Sequence, residues 1–405
     1  MRTYAIAGTS GRALRMYART IIERFADSAK LVGLFDVNLA RASYFSHECD
    51  DVPVFDDFDE MIRVTHPDCV IVTTMDRYHH EYIIRSLDAG CDVITEKPMT
   101  IDDEKVRAVL AAEKRNGRKI IVTFNYRFAP YTTRVKELLR EGAIGQPLSV
   151  DFEWILDTSH GADYFRRWHR RKENSGGLFV HKATHHFDMV NWWLEDEPSV
   201  VFANGERRFY GPTRAERGDR CSTCAFTRTC EFYVDFRARP DFQGLYFGAE
   251  HADGYHRDGC VFSDEIDIED TMSATVRYNR NTLLTYSLIA HSPYEGWSAS
   301  LSGTNGRMEV QEFHSGHSAK DPSNVVKVFN RKGEIVSYDI LKAAGMHGGG
   351  DQRLLERLFS GRSDPDPLGH MADSRAGAMS CLIGIAANKS IATGEAVKIG
   401  SLLEG

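Results

Sequence analysis

A short run in the first quarter of the chain, Val93-Ile94-Thr95-Glu96-Lys97-Pro98, carries residues that are suited to chemistry. The β-branched residues predict a strand that ends on an acid, a lysine and a proline. In an open α/β sheet, ligands bind outside the carboxyl ends of the strands. Lys97, followed by a proline of fixed φ, is therefore placed to reach a bound cofactor and a substrate together. A strand followed by a polar turn is the alternative interpretation.

A second group of candidate residues lies on a helix predicted over 178–194. At ~100° per residue, His181, His185, Asp188 and Trp192 share the face opposite an apolar stripe. A histidine titrates near neutral pH, so it can take a hydroxyl proton or protonate a leaving group. The pattern predicts a face for proton transfer, and a solvated polar face would show the same spacing.

A basic segment precedes this helix. Residues 164–172 contain five Arg or Lys residues in nine, interleaved with aromatic rings, in a chain whose net charge is -8. Arg166, Trp168 and His169 are candidates for recognition of a carboxylate, sulfonate or phosphate on a substrate, because arginine makes forked contacts with such groups. A solvated surface loop or a subunit contact are the other interpretations.

Four cysteines form the most specific local pattern outside the lysine segment. Two residues separate Cys221 from Cys224, five separate Cys224 from Cys230, and 29 separate Cys230 from Cys260. Four thiolates with this spacing predict a closed, structural zinc site in an insertion at about 211–265, which has little periodicity of its own. An iron–sulfur cluster, disulfides and four free thiols remain alternatives.

The elements that must position these residues fall into two patterns. Strand-like segments at 3–7, 30–35, 69–73, 92–95 and 119–124 alternate with helical ones, which predicts a parallel sheet in residues 1–125. Gly8, Ser10, Gly11 and Arg12 follow the first strand, where a pyrophosphate-binding turn belongs, although Ser10 and Ala13 depart from the glycine pattern. Asp36 ends the second strand and favours NAD over NADP.

The pattern changes after residue 125. Strand candidates at 148–154, 200–206, 271–278, 283–289, 297–303, 307–311 and 325–329 predict a large, mostly antiparallel sheet in an α+β domain at 126–345. Residues 346–405 return to helix and end in a strand at 396–399, which we expect to pack back on the core.

Composition limits the class of protein. The chain has 405 residues, 42% of them hydrophobic and 27% charged, as expected of a globular protein with two or three domains. The acidic balance does not favour a nucleic acid partner. We expect no membrane span, because no apolar run approaches ~20 residues, and a cytoplasmic location, because the N-terminus lacks the features of a signal peptide.

Several of these segments together resemble the glucose-fructose oxidoreductase / inositol dehydrogenase (Gfo/Idh/MocA) family. The matching motifs, in order, are Thr74-Met75-Asp76-x-x-His79, Glu96-Lys97-Pro98, Asn125-Tyr126-Arg127-Phe128, Ser175-Gly176-Gly177-Leu178 and His185-x-x-Asp188. The resemblance implies a Rossmann domain, in which a doubly wound parallel sheet binds NAD, and an α+β domain whose open sheet shields the site and supports a homo-oligomer, a dimer or tetramer. It also implies a catalytic lysine at Lys97, with a Lys-Pro bond that is often cis. His181 stands where the family usually has an aspartate, and Lys182 follows it.

The resemblance and the residue patterns together assign the site residues. Catalysis is expected from Lys97, His181 and His185. Contacts with the substrate are expected from Tyr126, Arg166, Trp168, His169, Lys182 and Asp188. The cofactor-binding set is Gly8, Ser10, Gly11, Arg12, Asp36, Thr73, Thr74, Asp76, His79, Glu96, Lys97 and Asn125.

The function expected from these assignments is NAD-dependent oxidation of a hydroxyl-bearing carbon in a sugar or sugar derivative. A redox-neutral glycoside hydrolase is the alternative: it would oxidise the sugar, eliminate the aglycone, add water and reduce again. The His181-Lys182 pair and the basic segment make an anionic glycoside, such as a sulfo- or uronosyl glycoside, a candidate for that reaction. A silent NAD-binding scaffold is a third interpretation, and the presence of Lys97 argues against it.

Overall fold

The computed structural model describes residues 1–316, 319–345 and 347–404. The chain forms two sheets in sequence order. Strands of the first are β1 (Arg2–Ala7), β2 (Ala29–Phe35), β3 (Val54–Phe55), β4 (Cys69–Val72), β5 (Asp92–Thr95) and β6 (Ile120–Val122). Strands of the second are β7 (Pro147–Asp157), β8 (Pro198–Glu206), β9 (Thr271–Tyr278), β10 (Leu283–Ser292), β11 (Gly296–Gly303), β12 (Gly306–Phe313), β13 (Ser323–Asn330), β14 (Ile335–Leu341) and β15 (Val397–Lys398).

The helices are distributed over the whole chain. Those before the second sheet are α1 (Arg19–Arg24), α2 (Leu39–His47), α3 (Phe58–Thr65), α4 (His79–Asp88), α5 (Asp103–Asn116) and α6 (Pro130–Arg140). Within it come α7 (Thr158–Arg166), α8 (Lys172–Ser175), α9 (Gly177–His181), α10 (Thr184–Leu194), α11 (Pro240–Phe242) and α12 (Glu250–Asp253). The chain ends with α13 (Gly350–Phe359), α14 (Ser374–Thr393) and α15 (Ile399–Glu404). In the described part of the chain no helix combines the length and the apolar character needed to cross a bilayer.

The first sheet is the predicted Rossmann sheet. Its strands are parallel and lie in the order β3-β2-β1-β4-β5-β6. The central strand β4 is buried along its whole length, as expected when helices cover both faces. Strand order reverses between β1 and β4, and a ligand crevice is expected at the carboxyl ends of the strands beside that point. The expectation of a doubly wound parallel sheet is confirmed.

The second sheet is large and mostly antiparallel, as predicted. Its order is β14-β13-β12-β11-β7-β10-β9-β8-β15, and β7 with β10 is a parallel pair. Residues in β9 alternate between buried and exposed, so one face is covered. On that face His186 of α10 stacks on Trp154 at 4.0 Å between ring centroids and lies 2.7 Å from the hydroxyl of Tyr286. This contact places α10, and the end of α9 before it, against the sheet.

The cysteine-containing insertion reaches back to the first domain. Arg15 Nη1 lies 2.8 Å from Asp241 Oδ2, and Arg41 Nη2 lies 2.6 Å from Asp253 Oδ2. The side chain of Asn38 donates to the carbonyl of Ala249 at 2.9 Å. The insertion therefore forms a strap from the second domain across the carboxyl ends of β1 and β2.

Several local predictions were wrong. The helix predicted over 178–194 is divided into α9 and α10, because the N–H groups of Lys182 and Ala183 both donate to the carbonyl of Leu178 (3.0 and 2.8 Å). Part of the basic segment forms the last turn of α7. The closing strand is only β15 and is followed by α15. The edge strand β14, whose residues are mostly exposed, is absent from the prediction.

Candidate active site

A cavity of about 970 Å³ runs along the carboxyl ends of the first sheet and reaches the end of α9. This volume is at the upper end of the range for small-molecule sites, which suits a dinucleotide. The predicted site residues that line it are Gly8, Ser10, Arg12, Asp36, Thr73, Thr74, Asp76, His79, Glu96, Lys97, Trp168, His169, His181, Lys182 and His185. Residues from both domains therefore meet at one cavity.

The turn after β1 forms one end of the cavity. Gly8 has φ +97, and a Cβ there would lie 2.6 Å from the backbone nitrogen of Thr74, so the close approach of the two loops requires glycine. Ser10 Oγ accepts the N–H of Ala13 at 3.2 Å. The N–H of Gly11 donates to the hydroxyl of Tyr246 in the insertion at 3.2 Å. The strap therefore touches the predicted phosphate-binding turn directly.

Asp36 is fixed at the wall of the same end. One of its carboxylate oxygens accepts the N–H (2.7 Å) and the hydroxyl (2.8 Å) of Thr9, and the other accepts the N–H of Asn38 at 2.8 Å. Arg41 Nη1 lies 3.5 Å from the second oxygen. These contacts hold an acceptor at the end of β2, where a dinucleotide ribose is expected.

Lys97 lines the cavity directly after β5. The Lys97–Pro98 bond is cis, and the Nζ atom donates to the carbonyl of His181 at 3.0 Å and lies 3.4 Å from His181 Nε2. Burial lowers the pKa of Lys97, against the opposing charges of Asp76 and Glu96. A lowered pKa makes the neutral amine more accessible, which suits a general base.

The preceding residue, Glu96, is held by two donors from the first helical turn. Its Oε1 accepts from Arg12 Nε at 2.8 Å and from the hydroxyl of Tyr17 at 2.6 Å. Burial acts to raise the pKa of Glu96, but Arg12 and Tyr17 hold it below its ordinary value. Glu96 is therefore an ionised anchor that fixes the backbone before Lys97.

Asp76 and His181 form a buried pair beside Lys97. The distance from His181 Nδ1 to Asp76 Oδ2 is 2.5 Å, and the side chains are 10% and 4% exposed. Burial and then the charge of Lys97 lower the pKa of His181 well below its ordinary value. Burial raises the pKa of Asp76, while Lys97 and Arg167 oppose this. A neutral imidazole oriented by a carboxyl group thus links Asp76 to the amine of Lys97.

Aromatic side chains close the wall around His181. Trp168 stacks on His169 at 3.6 Å between centroids, and the ring of His169 meets His181 edge-on at 4.2 Å. The hydroxyl of Tyr164 lies 3.0 Å from His160 Nε2, and His160 Nδ1 lies 2.9 Å from Glu295 Oε1. Tyr164 and His160 both line the cavity, so this chain of hydrogen bonds ends at it.

His185 lines the cavity next to Lys182. Among the described residues its Nδ1 atom has no hydrogen-bond partner. Burial, with Lys97 as the next cause, lowers its pKa well below the ordinary value. His185 is therefore a neutral ring whose hydrogen-bonding capacity is available to a ligand.

Comparisons with known proteins decide the family. A sequence model described as an oxidoreductase family with an NAD-binding Rossmann fold matches residues 2–124, and the model of that family's C-terminal alpha/beta domain matches residues 136–399. The chain belongs to the Gfo/Idh/MocA family of oxidoreductases. Its first domain is accordingly the NAD-binding domain of this family.

Individual relatives agree with this assignment. A protein of Bacillus subtilis (strain 168) named as an oxidoreductase, YteT, is 38% identical over 441 residues, which cover 100% of this chain and 99% of that protein. An inositol 2-dehydrogenase of Rubrobacter xylanophilus is 28% identical over 206 residues, 49% of this chain and 54% of that protein. A crystal structure of an oxidoreductase from Agrobacterium radiobacter, in complex with NAD+, L-tartaric acid and magnesium, shares the fold with a TM-score of 0.65 at 17% identity, covering 99% of each chain.

Five predicted site residues of this Gfo/Idh/MocA protein lie outside the cavity wall, and two of them are engaged elsewhere. Asp188 makes a buried, two-pronged pair with Arg127 (2.7 and 2.5 Å), because the break before α10 turns it away from His181. Arg166 is turned to the insertion, where it donates to Cys221 Sγ at 3.3 Å and to the carbonyl of Phe232. Neither Asp188 nor Arg166 lines the cavity, and their contacts with a substrate stay predictions.

Asn125 and Tyr126 contact residues of the cavity wall without lining the cavity. Asn125 donates to Asp351 Oδ1 at 2.5 Å and lies 3.0 Å from His347 Nδ1. The ring of Tyr126 packs edge-on against His185 at 5.4 Å. Both residues thus hold groups that line the cavity, instead of lining it themselves. Gly11, turned to Tyr246, also lies outside the wall.

The four cysteines of the insertion come together. Cys221, Cys224, Cys230 and Cys260 all line one small cavity of about 20 Å³, and all are free thiols. Within the described residues, however, no group of three or more His, Cys, Asp or Glu side chains is arranged to hold a metal ion. Arg166 and Arg214 donate to Cys221 Sγ and Cys230 Sγ (3.3 and 2.9 Å). As arranged, the thiols do not form a metal site, and no step in the chemistry depends on one.

Sequence patterns missed several residues of the wall. The insertion contributes Tyr246, Tyr255 and Arg257. The segment before α13 contributes His347, and the first turn of α13 contributes Asp351. Tyr246 and Tyr255 lie in a segment without periodicity, so no hydrophobic pattern in the sequence indicates that this segment covers the first domain. The concentration of aromatic and arginine residues in the insertion was the available signal.

Proposed function

We propose that this protein is an NAD-dependent dehydrogenase that removes hydride from a hydroxyl-bearing carbon of a sugar or sugar derivative. The observation that supports this most is the contact of Lys97 Nζ with His181, in one cavity with the turn after β1 and Asp36. A dinucleotide site and a pair of groups for proton transfer thus share a single space. The name of the inositol 2-dehydrogenase relative supports a polyhydroxylated substrate.

Each residue has a defined part in this proposal. Gly8, Ser10 and Arg12 lie where the pyrophosphate would be held, and Asp36 would accept the ribose hydroxyls. The chemistry that NAD supplies when bound is acceptance of the hydride. Lys97 takes the proton of the substrate hydroxyl, and His181, oriented by Asp76, accepts a hydrogen bond from Lys97 and keeps its amine directed at the cavity. His185 offers its unpaired ring nitrogen to a second substrate group.

The experiment follows the absorbance of NADH while NAD and a panel of hexoses, hexuronates and inositols are supplied to the protein. The expected result is one NADH for each sugar oxidised. Aryl glycosides of the same hexoses and hexuronates test the redox-neutral hydrolase, which the His181-Lys182 pair supports. Aglycone release with substoichiometric NAD, no net NADH and deuterium uptake from heavy water would replace the dehydrogenase by that hydrolase.

Three further expectations remain predictions. Structural zinc in the four-cysteine insertion is tested by elemental analysis, in which about one zinc per chain supports it and iron with labile sulfide supports a cluster instead. Size-exclusion chromatography with light scattering tests the dimer or tetramer. Fractionation of the source cells tests the cytoplasmic location.

A further inference from the structure

The residue after His181 occupies an unusual position. Lys182 lies in the break between α9 and α10, is 4% exposed and lines the cavity. Its Nζ atom is 4.4 Å from the centroid of the Trp154 ring. The break that separates the two helices thus turns a buried lysine toward the same space as Lys97 and His185.

The ammonium group of Lys182 has no anionic partner among the described residues. No carboxylate of residues 1–316, 319–345 or 347–404 lies within 4.0 Å of Nζ, and its contact is the indole of Trp154. Other cations that line the cavity have hydrogen-bond acceptors: Lys97 donates to the carbonyl of His181, and Arg167 Nη1 lies 3.1 Å from Asp163 Oδ2. Lys182 differs from them because none of the described residues accepts a hydrogen bond from its ammonium group.

The nearest acidic side chains are already engaged. Glu295 and Glu312 are the two carboxylates whose charge acts on Lys182. Glu295 lies 2.9 and 3.0 Å from His160 Nδ1 through its two oxygens, and Glu312 accepts from Trp297 Nε1 at 3.1 Å and from the hydroxyl of Tyr131. They stabilise a positive charge at a distance and leave the ammonium donors without acceptors.

A buried charge without a hydrogen-bonded partner is unfavourable, and in proteins such groups are usually paired. Burial accordingly lowers the pKa of Lys182 to about 8, with Glu295 acting in the opposite direction. An anion bound against Lys182 would supply the missing acceptor. Since the site holds one unpaired cation close to two engaged carboxylates, it matches a monoanion better than a phosphate dianion.

We propose that Lys182 binds a carboxylate of the substrate, so that the preferred substrates are acidic sugars of the hexuronate class. The inference rests on the proposed function, because it assigns the substrate class of that site. Lys182 lies beside His181 and Trp154 in the second domain, whereas the turn after β1 belongs to the first domain. A role in binding the cofactor phosphates is therefore not part of the inference.

The test uses matched ligands and two variants. D-glucuronate, D-galacturonate and D-mannuronate are each compared with the parent hexose and with the uronate methyl ester, by calorimetric binding to the NAD-loaded protein and by NADH formation. Lys182→Met removes the charge and keeps the length of the side chain. Lys30→Met, at an exposed position on β2, is the control for the loss of one lysine. The affinity for NAD and the melting temperature of each variant are measured as well.

The wild-type protein is expected to bind at least one uronate about 10- to 100-fold more tightly than its hexose and its methyl ester. Lys182→Met should reduce that ratio by the same factor, and Lys30→Met should leave the ratio unchanged. Binding of no uronate, an equal preference for hexose, or a ratio unaffected by Lys182→Met would overturn the inference. So would a comparable loss of NAD affinity in Lys182→Met.

The two proposals fail in different ways. If uronates bind in a Lys182-dependent manner without forming NADH, the dehydrogenase proposal fails and the carboxylate site stands. If hexoses and uronates form NADH equally well in both variants, the carboxylate site fails and the dehydrogenase stands.

Discussion

The pair between Asp188 and Arg127 yields a prediction that separates a structural from a substrate-binding aspartate. Two hydrogen bonds of 2.7 and 2.5 Å join the side chains, which are 2% and 7% exposed. Asp188→Asn keeps the shape of the side chain, removes its charge and places an amide donor opposite a guanidinium donor. Breaking a buried pair in this way costs about 3–5 kcal/mol, because a charge is left uncompensated.

The loss of unfolding free energy in Asp188→Asn can be expressed as a decrease in melting temperature. An entropy of unfolding of about 2.1 cal/mol/K per residue amounts to roughly 0.85 kcal/mol/K over 405 residues. If the two domains unfold together, the midpoint in scanning calorimetry should fall by about 3–6 °C. Catalytic constants of the folded variant at 20 °C should stay close to those of the wild type, since Asp188 lies outside the cavity wall.

A matched surface pair provides the control. Arg375 and Glu197 also form a two-pronged contact, at 2.8 and 2.7 Å, but their side chains are 47% and 40% exposed. Glu197→Gln should therefore cost no more than about 1 kcal/mol, or roughly 1 °C. A stable Asp188→Asn protein whose KM for the substrate rises tenfold or more would refute the structural role and return Asp188 to the substrate site.

Three other predictions concern the cavity. Lys97→Met should lower kcat by about 10²- to 10⁴-fold, since a general base is lost, with the Kd for NAD within tenfold; wild-type turnover would remove Lys97 from the mechanism. Tyr246→Phe removes the hydroxyl that accepts the N–H of Gly11, so calorimetry should show NAD binding weakened about 2- to 10-fold; unchanged binding would mean that the strap does not support the turn. Asp36→Ala should weaken NAD binding more than NADP binding in the same assay, and equal losses would contradict the ribose assignment.

The large elements could be predicted from sequence because each has its own periodicity. The alternation in residues 271–278 coincides with β9, and β10 to β13 differ from their predicted ranges by three residues or fewer at either end. The edge strand β14 has exposed apolar residues on both faces, so the period-2 signal is absent there. Hydrophobic periodicity also predicts a single continuous helix for residues 178–194. It carries no information about a break at Lys182, and the position of Asp188 was therefore misjudged.

The strap over the first domain could not be predicted for a different reason. Its contacts to the turn after β1 join residues more than two hundred positions apart, such as Gly11 with Tyr246. Such pairings are fixed by tertiary packing of a segment without repeating pattern, and one sequence does not reveal them. The cysteine spacing indicated that the insertion needs internal support, but not which surface it covers.

The histidine that replaces the family's usual aspartate now has a physical explanation. A histidine at position 181 removes a carboxylate from the position four residues before His185, where the resemblance implies an acid/base or sugar-orienting role. The structure supplies a carboxyl group from the other domain, since Asp76 Oδ2 lies 2.5 Å from His181 Nδ1. The imidazole thus extends the reach of Asp76 to the amine of Lys97, which lies 3.4 Å from its other nitrogen. Asp76 precedes α4 in the first domain and His181 ends α9 in the second, so this link is complete only when the two domains are in contact across the cavity.

Exchange of His181 for aspartate would shorten the side chain that bridges the domains and place two carboxyl groups beside one lysine. The loss in kcat should therefore exceed that of His181→Asn, which keeps the site free of the second charge, and the reverse order would show that Asp76 does not act through His181.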